Sequence, residues 1–275
     1  MCDITSPMSQ DRSLNNAEML SVLDWYRAAG VDIAVGEEPV DRFAQKPPAP
    51  ASMPPRAAAA QPAPMPTPSG PVGGDPAEAR QLAGSAGSLD QLRGILDTYN
   101  GCGLKFRATQ LVFADGNPEA KIMLIGEAPG AEEDRQGKPF VGRSGQLLDR
   151  MLGAIGLDRT GVYIVNTVPW RPPGNRTPTP EEMELCLPFL NRQVELVAPR
   201  LVLTLGGPAM QTVFKTTNGI IKMRGKWADV TIGNHAVEAL PTLHPAYLLR
   251  NPAAKQQAWK DLLSLKMKMD ALGLG

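Results

Sequence analysis

Three side chains of different chemistry each stand at the end of an apolar run. Glu127 follows KIMLI in GEAPG, Asn166 closes VYIVN, and His244 follows AVEALPTL in LHPAYLLRN. A carboxylate favours positive charge. An amide carries one acceptor and two donors, so it can read the edge of a nucleobase or, more commonly, cap a turn. A neutral imidazole can donate to a developing oxyanion, or sit in a loop without a role. The first junction continues as GEAPGAEEDRQGKPFVGRSG, where glycines let a backbone approach a ligand and expose its amides. Its acids Glu127, Glu132, Glu133 and Asp134 would repel phosphates. Glu132 reads as a helix cap, and at least one of the others is expected where positive charge is favoured. The second junction continues as TVPWRPPGNR, offering Arg171 and Arg176 in a proline-stiffened loop. In the last, Leu248 and Leu249 beside Arg250 suit either a wedge entering a DNA groove or plain helix packing. Neither GxxxxGK[ST] nor GxGxxG occurs, which argues against a nucleoside triphosphatase or a dinucleotide enzyme.

These residues need elements to position them. KIMLI (121–125), VYIVN (162–166) and LVLTL (201–205) read as strands, and WADVTI with AVEALPTL reads as a strand pair around Gly233. Between them, SGQLLDRMLGAIG (144–156), PEEMELCLPFLNRQVELVA (180–198) and PAMQTVF (208–214) read as helices. Such alternation predicts a short, mostly parallel central sheet covered on both faces, an α/β/α architecture. In open sheets of this kind ligands bind at the carboxyl ends of the strands, where the junctions fall. Ser88 and Gln91 predict a capping box for SLDQLRGILDTY.

Upstream, residues 47–76 hold 11 of the 27 prolines. That composition cannot bury apolar surface, so residues 45–84 read as a disordered linker. Residues 1–44 contain one amphipathic helix, NNAEMLSVLDWYRAAG, too short to fold alone and suited to docking on the main domain or on a repair-protein partner. The α/β domain is expected over 85–275. Net charge is zero, with 7 basic and 12 acidic residues before position 100 and 21 and 16 after it. A mildly basic C-terminal part is compatible with a polyanionic partner without demanding one. No 18-residue apolar run and no signal peptide is visible, and three widely spaced cysteines form no disulfide framework. A cytoplasmic monomer without membrane contact is expected.

Together GEAPGAEEDRQGKPFVGRSGQLLDRML, YIVNTVPWRPPGNRTPTP and LHPAYLLRNP resemble the uracil-DNA glycosylase superfamily over residues 100–268, in particular its family 4, the iron–sulphur type. The resemblance implies removal of uracil from DNA. It implies that Phe140 stacks on a flipped base, within a pocket that includes Gly126 and Ala128. It implies that Asn166 pairs with the uracil edge, that His244 bonds the base O2, and that Glu127 is the acid of the first motif, stabilising a sugar cation or orienting water. Residues 247–250 match the loop inserted into the duplex. Arg143, Ser144 and Gly145, opening a helix, are expected to hold a flanking phosphate.

The match has gaps. Family 4 uses four cysteines for a [4Fe–4S] cluster. Cys102 and Cys186 match two of them, while Tyr99 and Trp170 occupy the other two positions. No cluster is expected, with those aromatics packing as apolar filler. Residues 167–180 lack the histidine of a covalent-trapping relative, so multiple turnover is expected. Gly130 stands where a better-known branch blocks thymine with tyrosine, which leaves that role to Glu133 or Asp134. The competing reading is a non-catalytic DNA-binding or polymerase-associated module on the same fold.

Overall fold

The computed structural model describes Leu20 and residues 73–274. A six-stranded sheet runs in the order β1-β3-β2-β4-β6-β5. Its centre is parallel: β3 (Tyr163–Asn166), β2 (Ile122–Gly126), β4 (Leu201–Leu205) and β6 (His235–Thr242). Short antiparallel strands close the edges, β1 (Asp115–Gly116) on β3 and β5 (Ala228–Ile232) on β6.

The central strands are buried on both faces, so they read as unbroken apolar runs. Alternate side chains divide between two cores. Ile122, Leu124, Ile164 and Leu203 pack with Leu148 and Leu152 of α4 (Arg143–Gly153) and with Leu262 and Leu265 of α9 (Lys255–Ala271). Met123, Ile125, Val165 and Val202 pack with Leu190 and Val194 of α5 (Pro180–Val197) and with Ala209 and Val213 of α6 (Gly207–Phe214). Each full burial of such a side chain stabilises by about 1.5–3 kcal/mol. The expected α/β/α layering is present.

A third cluster lies under α1 (Pro76–Ser85) and α2 (Leu89–Thr98). Helix α1 corrects the linker boundary, because residues 76–84, which composition reads as spacer, are helical. Asp75 caps it through Ala77 N–H at 2.8 Å, Pro76 opens it, and Ala79 and Ala83 are buried as it packs on α5. Alanines that look featureless in a Pro/Ala-rich stretch allow two helices to approach closely. The N-terminal helix expected within 1–44 and the linker up to residue 72 lie outside the described residues, Leu20 excepted. Ser88 caps α2 as expected, but Gln91 returns to the Gly87 amide, one residue earlier than a capping box requires. Helices α3 (Ala131–Gln136), α7 (Ile220–Met223) and α8 (Pro245–Arg250) and a 3₁₀ turn at Arg159–Gly161 complete the frame used below. Among the described residues no helix is long and apolar enough to cross a membrane.

Candidate active site

Parallel pairing sets Gly126 beside Asn166 at the carboxyl ends of β2 and β3. Thr167 Oγ1 donates to the Glu127 carbonyl at 2.6 Å, and Thr167 N–H to that of Gly126 at 2.9 Å, stitching the two junctions together. Gly126 cannot carry a side chain. A Cβ there would lie 2.4 Å from Asn166 Oδ1 and 2.7 Å from the Phe140 ring. Asn166 is buried, and its Oδ1 has no hydrogen-bond partner within the protein. An orphaned buried acceptor costs about 1–3 kcal/mol, a cost that a ligand donor removes.

Phe140 is buried with φ +55°, a left-handed conformation unusual outside glycine. Its ring centroid lies 5.6 Å from that of His244, the planes inclined by 32°. Gly145 permits this close packing, because a Cβ there would fall 1.7 Å from the Phe140 carbonyl oxygen. His244 caps α8 by accepting the Ala246 N–H at Nδ1, 3.1 Å away. That bond puts the ring proton on Nε2. Burial, with Arg250 nearby, pulls the His244 pKa down to about 4, so the imidazole is neutral at ordinary pH. Glu127 is half-buried, and burial raises its pKa against an opposing hydrogen bond with Thr177.

These residues enclose a cavity of about 400 Å³, lined by Glu127, Ala128, Phe140, Asn166 and His244, with Ser144, Arg176, Tyr247 and Arg250 toward its rim. A volume of this order suits a small-molecule-sized ligand. Arg143, Ser144, Leu249 and Arg250 border an adjoining groove.

Four expectations change. Leu248 is not a wedge: it is 1% exposed within the main core. Tyr247 stands out instead, at 37% exposed, and shares its helix face with Arg250 three positions on. Arg171 does not line the cavity, since its Nε donates to Asn175 Oδ1 at 2.7 Å and its guanidinium approaches Asp134. Gly145 is enclosed by packing rather than open to a phosphate. Asp134 is no pocket wall, because it turns inward to accept from Thr109 N–H and Oγ1 at 2.8 and 2.9 Å. Glu133 does line the cavity. It accepts from Gly130 N–H at 3.1 Å and from Val141 and Gly142 N–H at 3.0 Å each, joining the GEAPG loop to the Phe140 loop. Glu132 is exposed and pairs with Arg135. The sequence signalled acids here but not their directions.

The cysteine positions lie apart, in the cluster beneath α1 and α2. Cys102 and Cys186 are buried free thiols with their sulfurs 3.8 Å apart. Tyr99 packs on Phe189 at 5.0 Å between ring centroids, and Trp170 is fully buried in the same cluster. Burial, then the neighbouring Cys186, pushes the Tyr99 phenol up to about 12. The hydrogen bond between the two thiols holds Cys102 below an ordinary thiol and, with burial, raises Cys186 well above one. Two thiols, a phenol and an indole do not supply the four thiolates of a [4Fe–4S] cluster.

A doubly covered sheet brings an amide, an imidazole, an acid and an aromatic ring together around one cavity at its carboxyl edge, the arrangement of an α/β enzyme site. The Uracil DNA glycosylase superfamily model matches residues 113–263, a span holding every residue named in the cavity, and the chain belongs to that superfamily. Within it the relatives include several type-4 enzymes. The chain is 41% identical over 187 residues to a type-4 uracil-DNA glycosylase of Saccharolobus solfataricus, covering 65% of this chain and 86% of that one. It is 44% identical over 151 residues to the Thermotoga maritima type-4 enzyme (54% and 77%) and 39% over 178 residues to that of Archaeoglobus fulgidus (63% and 89%).

Proposed function

We propose that this chain is a uracil-DNA glycosylase that extrudes uracil from DNA and hydrolyses its N-glycosidic bond, opening base-excision repair. The activity rests on family membership and on its similarity to several type-4 enzymes. One structural observation carries the assignment of roles: the buried, unpartnered Oδ1 of Asn166 at the cavity.

A base within a duplex is out of reach, so it must be flipped into a pocket. Phe140 offsets the lost stacking. Asn166 Oδ1 accepts from uracil N3–H while its NH₂ donates to O4. Cytosine presents the opposite pattern, and an amide held in one rotation rejects it. As the bond between the sugar C1′ and uracil N1 breaks, electrons move to the base and the sugar becomes cation-like. His244 Nε2–H donates to uracil O2 as that charge grows. Being neutral, the imidazole keeps Nδ1 as acceptor for Ala246. Glu127 faces the sugar side, where a carboxylate stabilises the cation and orients water. The water oxygen adds to C1′ and its proton ends on uracil. Glu133 forms the wall that disfavours a 5-methyl group. Arg143, Ser144, Arg176 and Arg250 meet phosphates, with Tyr247 and Leu249 against the opened stack.

We further propose that no iron–sulphur cluster is held, the donor set being the reason. Action as a monomer is proposed with it, and the two free thiols suit a reducing cytoplasm.

The test is to incubate the protein with a uracil-containing oligonucleotide, treat with alkali and look for strand breakage. Breakage at the uracil over many turnovers is expected. Tight binding without breakage would leave a non-catalytic DNA-binding module.

A further inference from the structure

Arg159 does not itself line the cavity, yet it holds the backbone that presents Phe140. It sits in the turn Arg159–Gly161 ahead of β3. Its Nη2 donates to the Phe140 carbonyl, and its Nη1 donates to the Pro139 carbonyl at 3.2 Å. Two carboxylates orient the guanidinium: Asp115 meets Nη1 at 2.6 Å and Asp149 meets Nε at 2.8 Å. On the other side of the same peptide group, Val141 N–H donates to Glu133 Oε1. The Phe140–Val141 peptide is therefore tied at its carbonyl by a cation and at its amide by an anion. This happens directly beside a residue held at φ +55°. A non-glycine residue keeps such a conformation only when its surroundings over-determine it.

We propose that Arg159 is a positioning residue for excision, holding the strained Phe140 backbone so that the ring faces the flipped base. The inference rests on reading Phe140 as the stacking ring. A planar fork bonding two successive carbonyls while two acids fix its other edge is arginine chemistry. A lysine ammonium, a single point of charge, cannot reproduce it.

The experiment measures kcat and KM on a single-stranded uracil oligonucleotide for Arg159→Ala, Arg159→Lys, Phe140→Ala and the Arg159→Ala/Phe140→Ala double variant. Arg159→Ala is expected to lower kcat/KM by roughly 10²-fold, as misplacement by about 1 Å does, and Arg159→Lys by less. In the Phe140→Ala background, Arg159→Ala should cost nothing further. Millimolar guanidinium should restore activity to Arg159→Ala and not to the double variant. Equal losses in both backgrounds overturn the positioning role and leave Arg159 a general structural residue. Full activity of Phe140→Ala overturns the stacking reading itself, and this inference with it. If Arg159→Ala does not fold, Arg159→Lys carries the same comparison, and its loss must vanish when Phe140 is absent.

Discussion

Among the described residues four buried side-chain polar atoms lack a partner, and two of them, Asn166 Oδ1 and Tyr99 Oη, sit in contrasting surroundings. In the cavity, Asn166 Oδ1 belongs to a residue lining an open space, where a ligand donor can complete it. In the cysteine corner, Tyr99 Oη is buried beside Gly101 and has no partner within the protein, its ring packing in the cluster that holds Phe189 and Trp170. The unmet hydrogen bond is the same in kind, but Asn166 sits among an acid, an imidazole and an aromatic ring, whereas the Tyr99 ring sits in an apolar cluster. Buried polarity next to a cavity therefore reads as recognition, whereas buried polarity inside a packed corner reads as a cost that the surrounding apolar contacts must exceed.

The comparison breaks most readily at Asn166. Asn166→Asp replaces the donor that faces uracil O4 with an acceptor, and excision should fall at least about 10³-fold. Single-turnover rates on a uracil oligonucleotide measure it, and a near-normal rate would remove the amide from the reading of the base. Next is His244→Ala, expected to lower kcat by about 10²–10³-fold, the scale of losing one donor to a developing oxyanion.

The same histidine gives a stability signature. Its pKa is lowered from 6.5 to about 4 on folding, so the unfolded chain binds the extra proton first. The His244 contribution to stability is fully present above about 6.5 and is lost as pH falls toward 4. Urea midpoints taken across that window should slope downward with acid, and His244→Asn should flatten the slope. An unchanged slope would mean that the imidazole is not buried neutral.

On the cysteine side the expected effects move from activity to stability. Trp170→Ala should cost about 3–5 kcal/mol of unfolding free energy through the cavity it leaves, while kcat of the remaining folded protein holds. Smallest of all, Cys102→Ala should leave kcat/KM unchanged within error, and anaerobically purified protein should be colourless. Brown protein with visible iron–sulphur absorbance would reverse the contrast between the two regions.

How much was legible in advance followed the range of each interaction. The strands and their junctions were, because an apolar run ended by Gly-Glu, Asn or Leu-His carries its own signal within a few residues. Glu127, Asn166 and His244 could be named for that reason, whereas Phe140 of KPFVG was named only through the family resemblance. Leu248 could not be separated from Leu249 and Tyr247, because YLLR does not state which helix face meets the core. Glu133 and Asp134 are adjacent acids with opposite fates, one clamping two loops at the cavity and the other bonding Thr109. Arg159 was passed over because its partners at Asp115, Pro139, Phe140 and Asp149 lie 10 to 44 residues away.

By itself the sequence determined the layered α/β class, the chemical types at the strand ends and the missing cysteines, since composition and short-range pattern are written along the chain. Only the tertiary structure decided which atoms face the cavity, which proton His244 carries and what holds Phe140 in its left-handed turn. Those depend on contacts between distant segments, and a contact has direction only once the chain has packed.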